Sequence, residues 1–430
     1  MRHVIIGSGP AGVVAAETLR KADPAAVITL LCGEGEPPYA RMTIPYLLKG
    51  DIDEAGTHIR QDANHYGRLR ICLIHARAQA VDTTARTVNI GNGRSLPYDR
   101  LLIATGSRPS RERIPGMDLP GVHTCWTLQD ARAILARARP GTRIVQMGAG
   151  FVGCIIMEGL LSRGVDLTIL VRSGYMVRRM MNPTASGLIR RWCETKGVKI
   201  LTGTQPRGLT LNGGPPVPAA PGTRDQRPGT TLQVDLGEGR TLPADLYLSV
   251  VGVDPNVEFL EGSGIEIDRG ILVDANLQSS VPGVYAAGDV AESTDCLSGK
   301  RQVNAIQPNA VEQGRIAALN MAGRPASFKG SFACNVLTTL GLLSSSFGQW
   351  QGVPDGASAE VLDQSRYRYL NLQFDGDRLA GANCVGFSEH IGALRGLIEG
   401  RLRLGAWKQR LLDDPARIMQ AYLSAARGLV

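Results

Sequence analysis

The chain predicts an α/β fold: two doubly wound units with parallel sheets, followed by a third α/β unit at the C-terminal end. Three observations carry this. The apolar run His3-Val-Ile-Ile6 leads into Gly7-Ser-Gly9-Pro-Ala-Gly12. A second run, Arg143-Ile-Val-Gln-Met147, leads into Gly148-Ala-Gly150-Phe-Val-Gly153. Each turn is followed by a helix-like stretch and then by another apolar run, which is the order of a βαβ unit.

A strand buried on both faces of a parallel sheet reads as a continuous apolar run rather than an alternating one. In such a turn the first glycine permits the tight bend. The second lets backbone approach a pyrophosphate, and the third lets the helix pack on the strand. The helix N-terminus presents free N–H groups and a positive dipole end to the phosphates. After Gly12 comes Val13-Val-Ala-Ala-Glu-Thr-Leu-Arg20, and Ile28-Thr-Leu-Leu31 supplies the next strand. After Gly153 comes Cys154-Ile-Ile-Met-Glu-Gly-Leu-Leu161, then Asp166-Leu-Thr-Ile-Leu-Val171. One such motif is weak support in a chain with 52 glycines. Two copies, each in strand–helix context, point to two dinucleotide sites and to electron passage between them.

Composition narrows the class. A length of 430 residues with 43% hydrophobic residues suits two or three domains with sizeable cores. No run of about 18 apolar residues occurs, so no membrane span is expected. The N-terminus enters the first strand at once, leaving no room for a signal peptide, and a cytoplasmic location is expected. The cysteines at 32, 72, 125, 154, 193, 296, 334 and 384 form no CxxC pair. A zinc knuckle, a dithiol and an iron–sulfur cluster are therefore not indicated. His3, His58, His65, His75, His123 and His390 show no metal spacing, so no metal site is expected. The net charge of +8 comes without a polybasic block or aromatic-interleaved basic motif, which argues against nucleic acid. It reads as a solvated basic surface or as steering of an acidic protein partner.

Along the chain, residues 1–110 and 243–325 form one expected domain, 111–242 a second and 326–430 a third. Residues 34–50, rich in Pro, Gly and Tyr, read as an ordered crossing segment before a helix. A hairpin follows at 76–81 and 86–90, then a strand from Arg100 to Gly106 and a linker over 108–120. Residues 205–230 read as a long surface loop. The strand at 244–251 and the block at 281–289 lead back to the first domain. Strands are expected near 332–337 and 367–374. The basic stretch 394–410 reads as helical, either a solvated face or a docking face for an acidic carrier.

Five blocks, in order, carry a family likeness: 7–12; Ala104-Thr-Gly-Ser-Arg-Pro109; 148–153; Val251-Gly-Val-Asp-Pro-Asn256 with 281–289; and Pro308-Asn-Ala-Val-Glu-Gln-Gly314. On these the chain resembles the FAD-dependent pyridine-nucleotide oxidoreductases of the disulfide-reductase superfamily. It looks most like the branch of rubredoxin reductases, ferredoxin reductases and nitrite-reductase flavin domains. The resemblance implies two interleaved Rossmann-like domains, for FAD and NAD(P), plus a C-terminal interface domain that forms a homodimer contact in relatives. It places Gly7, Ser8, Gly9, Ala11 and Gly12 at the FAD pyrophosphate and Arg41 by its phosphates. Glu34 stands for the acid on the adenosine ribose, because Cys32-Gly33 occupies the usual position. Thr105 and Gly106 line the adenine side, Gly288 and Asp289 meet the ribityl chain, and the helix opened by Asn309, Ala310 and Glu312 points at the flavin ring. Gly148, Gly150 and Gly153 would hold the NAD(P) pyrophosphate, with Phe151 and Gly252 placing nicotinamide. Phe347 and Trp350 either approach the flavin ring or pack in the third domain.

Three departures from the family pattern sharpen the reading. The segment Arg41-Met-Thr-Ile-Pro-Tyr46 lacks the cysteine of thiol-using relatives. Disulfide, CoA-disulfide and thiol-based peroxide chemistry are thus disfavoured, and no side chain is expected to be catalytic. Arg172 stands where an NAD site carries an acid, and Arg178 lies six residues on. That spacing resembles a 2′-phosphate clamp and favours NADPH over NADH, with a solvated basic turn as the alternative. Ile155 occupies the position of a glutamate near nicotinamide in relatives, and Glu158 is almost one turn further. The expected function is hydride transfer from NAD(P)H to FAD, then electron transfer to an iron–sulfur carrier such as rubredoxin or ferredoxin, or to a partner reductase subunit. The alternatives are a flavoprotein relay whose nicotinamide site has decayed and an NAD(P)H oxidase releasing hydrogen peroxide.

Overall fold

A computed structural model describes residues 1–212 and 231–428. The chain divides into two compact units. The first comprises Met1–Ile44, Ile52–Arg108 and Val253–Phe332; the second comprises Pro45–Asp51, Pro109–Gly252 and Ala333–Val430.

In the first unit, five parallel strands stand in the order Val284–Ala286, Arg100–Ile103, Arg2–Ile6, Val27–Cys32, Ile71–His75. The apolar run that opens the chain is the central strand, with Val4, Ile5 and Ile6 buried. Full burial of each such side chain contributes roughly 1.5–3 kcal/mol. Helix Pro10–Ala22 begins with proline in its first turn, where no amide hydrogen is required, and buries Val13, Ala15, Ala16 and Leu19. Helix Gln307–Met321 lies against it. The two come close at Gly314, where any side chain would overlap the Ala11 carbonyl. Arg20, in the last turn, is buried and satisfied by five carbonyls, among them Leu69 at 2.6 Å and Ala26 at 3.0 Å. Two small sheets also belong to this unit: an antiparallel one of Ala80–Asp82, Thr87–Asn89 and Ser95–Pro97, and a mixed one of Ile271–Leu272, Ala291–Thr294 and Arg301–Gln302.

The second unit repeats the plan. Its parallel strands run in the order Lys199–Thr202, Asp166–Val171, Arg143–Met147, Leu246–Ser249, Val122–His123. The strands Arg2–Ile6 and Arg143–Met147 thus hold equivalent central places. Helix Phe151–Leu161 follows the second glycine turn. Helix Leu128–Arg137 opens on a capping box in which Thr127 accepts from the Asp130 amide and Asp130 accepts in return. The C-terminal part is an antiparallel sheet in the order Cys334–Thr339, Leu342–Gly348, Arg378–Val385, Arg368–Asp375, Ser358–Asp363. Phe347, Tyr369 and Phe374 fill its core.

Several expectations need correction. Within the stretch read as loop, Gly208–Asn212 is a strand paired antiparallel with Thr231–Gly237. Leu209 is buried there with Leu232 and Val234, and this alternation went unread because proline and glycine dominate the residues that follow. The rest of that loop, 213–230, lies outside the described residues. The linker is pinned: Glu112 accepts from Tyr247 at 2.8 Å and from the Ser249 hydroxyl. The basic stretch near 394–410 is two helices, Ile391–Glu399 and Trp407–Asp413. Gly400 ends the first, and Arg401 then takes a left-handed turn at φ 49°. Phe347 is fully buried in the C-terminal sheet, so packing is its role. Among the described residues, no helix is long and apolar enough to cross a membrane.

Candidate functional site

The first glycine turn is closed on one side and open on the other. Gly7 has φ 110°, a region that strains any residue with a Cβ, and a side chain there would overlap the Ala104 carbonyl. Gly12 is sealed in the same way by the Gly7 carbonyl. Gly9, between them, has no atom of the described residues within 4 Å of where its Cβ would be. It is also the N-cap of helix Pro10–Ala22, and no side chain caps that end. Orphan helical N–H groups therefore meet open space at the point where the backbone is barest, which is a ready anion site.

Around that opening the first unit assembles the other residues expected from sequence. Ser8 bonds to the Cys32 thiol, whose pKa burial raises. Gly288 lies against Ala11 and Ala310: a Cβ on it would be 3.4 and 3.6 Å from theirs. A continuous polar chain runs alongside. The Glu34 carboxylate accepts from Tyr39 at 2.6 Å and from Arg41. Arg41 Nη1 donates to the Ser107 carbonyl at 3.2 Å, and the Ser107 hydroxyl donates to Asp289 at 2.7 Å. Burial pushes the Asp289 carboxyl above its ordinary pKa, against the pull of Ser107 and Arg41. Burial works to lower the Arg41 pKa, and Glu34 and Tyr39 outweigh it, so the guanidinium stays charged.

Thr105 and Gly106 are held by Asn256, a residue the sequence reading left without a role. Asn256 Nδ2 donates to the Thr105 carbonyl at 2.9 Å, its carbonyl accepts from the Thr105 hydroxyl at 2.9 Å, and its N–H donates to Gly106 at 3.0 Å. Its presence in the Val-Gly-Val-Asp-Pro-Asn block was the available signal. Asn309, in the first turn of helix Gln307–Met321, is buried, and its Nδ2 has no hydrogen-bond partner among the described residues. A buried donor in that state costs about 1–3 kcal/mol unless a ligand satisfies it.

The second turn repeats the geometry. Gly148 has φ 106°, and a side chain there would overlap the Val250 carbonyl. Gly153 is sealed by the Gly148 carbonyl, while Gly150 is open and caps helix Phe151–Leu161 without a side-chain bond. Phe151, the first helical residue, is half-buried. Gln146, fully buried, braces this turn from beneath: its Nε2 donates to the carbonyls of Gly148 at 2.9 Å and Gly153 at 3.1 Å.

Arg172 ends the strand Asp166–Val171 on an exposed turn, and Arg178 with Arg179 forms an exposed tip further on. Among the described residues none of the three has a hydrogen-bond or ion-pair partner. Arg179 leans toward Gly252, where an added Cβ would lie 3.9 Å from its Nη1. Gly252 itself has φ 140°. Val177 precedes the tip at φ 44°, a costly conformation for a β-branched residue, on the order of 1–3 kcal/mol. Ile155 sits half-buried in helix Phe151–Leu161. Glu158 is engaged elsewhere: it pairs with Lys49 at 3.1 Å, and Lys49 also meets Asp51 at 3.2 Å.

A family model described as pyridine nucleotide-disulphide oxidoreductase matches residues 1–314. The NADH-dependent phenylglyoxylate dehydrogenase subunit epsilon of Aromatoleum evansii is 30% identical over 428 residues, covering 98% of this chain and 97% of that protein. A ferredoxin–NAD(+) reductase component of an anthranilate 1,2-dioxygenase system from Burkholderia cepacia is 30% identical over 405 residues, covering 92% and 93%. Among solved structures, the covalent putidaredoxin reductase–putidaredoxin complex superposes with a TM-score of 0.88 at 23% identity, over 99% of each chain, and so shares the fold. With its two glycine turns, and with similarity to these relatives running nearly end to end, the chain belongs to the pyridine nucleotide-disulphide oxidoreductase family.

Proposed function

We propose that this chain is an FAD-dependent NAD(P)H oxidoreductase that delivers electrons to a protein acceptor. The observation that carries this reading is the pair of glycine turns, each with sealed outer glycines and an open middle one at an uncapped helix end. When bound, FAD would take up the hydride of NAD(P)H and release electrons singly, which is chemistry the cofactor brings.

The residues of the chain supply binding and orientation. Gly7, Ser8, Gly9, Ala11 and Gly12 offer backbone donors to the FAD pyrophosphate. Arg41, charged and aimed by Glu34, adds a guanidinium for phosphate oxygens. Asp289, with Gly288 beside it, offers a carboxylate to ribityl hydroxyls. The unpartnered amide of Asn309 and the start of helix Gln307–Met321, with Ala310, suit a group that gains negative charge. Glu34 is already satisfied by Arg41 and Tyr39, which favours a supporting role for it beside any ribose contact. No side chain need act as acid or base.

In the second unit Gly148, Gly150 and Gly153 would take the NAD(P) pyrophosphate, with Phe151 and Gly252 lining the nicotinamide end. The unpaired Arg172 and Arg178 support NADPH, since two donor-rich guanidinium groups with no acid between them in sequence suit a 2′-phosphate. The relative from Aromatoleum is named for NADH, so the nucleotide class is NAD(P)H and the preference is ours. The acceptor we propose is an iron–sulfur carrier or a partner subunit; the end-to-end similarity to a dehydrogenase subunit supports the latter. A cytoplasmic location and a homodimer through residues 326–430 belong to the same reading.

A second reading, a relay with a decayed nicotinamide site, draws on Ile155 and on the commitment of Glu158 to Lys49. The test is reduction of acceptors by the FAD-loaded protein with NAD(P)H. Fast reduction of a ferredoxin or rubredoxin with slow oxygen consumption is expected. Turnover with oxygen alone, giving hydrogen peroxide, would replace the reductase reading with an oxidase.

A further inference from the structure

We infer that Asn383, on the C-terminal strand Arg378–Val385, is a positioning residue for the substrate nucleotide: it holds the Arg178–Arg179 tip beside the second glycine turn. The C-terminal sheet thereby sets affinity for the adenosine end of that nucleotide. This rests on the reading of the second turn as a pyridine-nucleotide site.

The tip is a short loop fastened at both ends. At its start, the Val177 N–H donates to the Ala149 carbonyl, within the glycine turn, at 2.8 Å. The Met176 carbonyl accepts from Ser186 at 2.8 Å. At its far end, Asn383 Oδ1 accepts from the Asn182 N–H at 2.8 Å, and Asn383 Nδ2 donates to the Met180 carbonyl at 2.9 Å. Between these ties Met176, Val177, Met180 and Met181 are buried, and Arg178 and Arg179 alone face outward.

Asn383 is fully buried, yet it spends both halves of its amide on loop backbone. It acts as a strand would, giving one donor and one acceptor to a segment that has no strand beside it. No apolar residue of similar size does this, and each orphaned backbone group would resist burial. The tie extends into the sheet: Asn182 Nδ2 donates to the Tyr369 hydroxyl at 2.8 Å, and that hydroxyl donates to Glu360 at 2.7 Å. The left-handed Val177 needs such restraint, because a free loop would relax out of that conformation. The two arginines therefore keep their direction only while the sheet grips the loop.

Linkage makes the coupling reciprocal: if the sheet tightens the nucleotide site, a bound nucleotide must tighten the sheet contact. The probes are 2′,5′-ADP and 5′-ADP with the FAD-loaded, full-length protein, read by calorimetry and amide hydrogen exchange. Binding is expected to slow exchange at Asn182 and in strands Arg368–Asp375 and Arg378–Val385. Asn383→Ala is expected to weaken nucleotide binding on the order of tenfold with FAD affinity unchanged. Tyr369→Phe keeps the core intact and is expected to weaken it about two- to threefold; it decides the matter if Asn383→Ala fails to fold. Protection confined to the glycine turn and the tip, or unchanged affinity in the variants that fold, would overturn the inference. If neither ADP binds the wild-type protein, the nucleotide reading itself fails, and the inference with it.

Discussion

The two glycine turns are near copies in backbone and differ in what surrounds them. Both have outer glycines sealed by carbonyls and a middle glycine facing open space. Beside the first, Tyr39, Glu34, Arg41, Ser107 and Asp289 form one hydrogen-bonded chain. Beside the second, Arg172, Arg178 and Arg179 are exposed and unpaired among the described residues. Beneath the first turn lies Ile5, and at the equivalent place beneath the second lies Gln146, whose Nε2 bonds the turn. Under the proposed function, each turn would supply phosphate binding, while its neighbours would decide how a ligand is kept. A pre-paired, half-buried network suits a resident cofactor. Free guanidinium groups on a restrained loop suit a ligand that comes and goes.

The largest effect expected separates the roles of glycines within one turn. Gly7→Ala should destabilise the fold by about 3 kcal/mol or more, since it combines a positive φ with carbonyl overlap. Gly9→Ala should leave the unfolding of the FAD-free protein within about 0.5 kcal/mol of wild type. FAD affinity should nevertheless fall at least about tenfold, because the added methyl stands where the pyrophosphate would approach. Denaturant melts with and without FAD check both. A Gly9→Ala protein that unfolds as readily as Gly7→Ala would show that the open side is not a ligand site.

Next is acid sensitivity, which should differ between the two central strands. His3 is fully buried on the first, where the second has Ile144. Burial lowers its pKa to about 4, against the pull of Asp23, 4.0 Å away. The unfolded chain takes up the proton near pH 6.5, the folded protein only near pH 4. The neutral histidine is thus fully tolerated above about pH 6.5, and stability falls as pH drops through that window. The loss reaches about 3 kcal/mol. His3→Leu should flatten the slope of stability between pH 6.5 and pH 4, measured by urea unfolding; an unchanged slope would place the acid sensitivity elsewhere.

Arg172→Glu should shift nucleotide preference toward NADH by about tenfold, because a carboxylate repels a 2′-phosphate and accepts from a 2′-hydroxyl. Ratios of kcat/KM for the two nucleotides measure it, and an unchanged ratio would show that the arginines are a solvated turn. The smallest effect expected is at Glu34. Glu34→Gln should weaken FAD binding by only a few-fold, about 1 kcal/mol. In an Arg41→Ala background it should do nothing further if Glu34 works through Arg41. Additive losses would instead put Glu34 on the cofactor directly.

Much of the fold was legible because parallel strands and glycine turns are local signals. The strands Arg2–Ile6, Arg143–Met147 and Asp166–Val171 lie within a residue or so of their expected positions. The strand Gly208–Asn212 was not, because its pairing partner lies beyond a proline- and glycine-rich stretch and its own signal is two leucines. The break between Ile391–Glu399 and Trp407–Asp413 was overridden by the basic, leucine-rich pattern around Gly400. In the site, residue types and spacing pointed to glycines and arginines, which act through backbone and charge. Asn256 and Asn383 carry no local signal because each bonds a segment far away in sequence, and Gln146, which bonds the turn beside it, reads in the sequence only as a polar break in an apolar strand. Nothing in the local pattern of an asparagine on a strand says which loop it will hold.

The central claim is that electrons enter at the second glycine turn and reach a flavin held by the first. Anaerobic titration of the FAD-loaded protein with NADPH and then NADH, following the flavin absorbance, tests it most directly. The account predicts fast, stoichiometric bleaching by a nicotinamide nucleotide, at lower concentration with NADPH. Flavin that stays oxidised with both nucleotides yet is bleached by dithionite would contradict it.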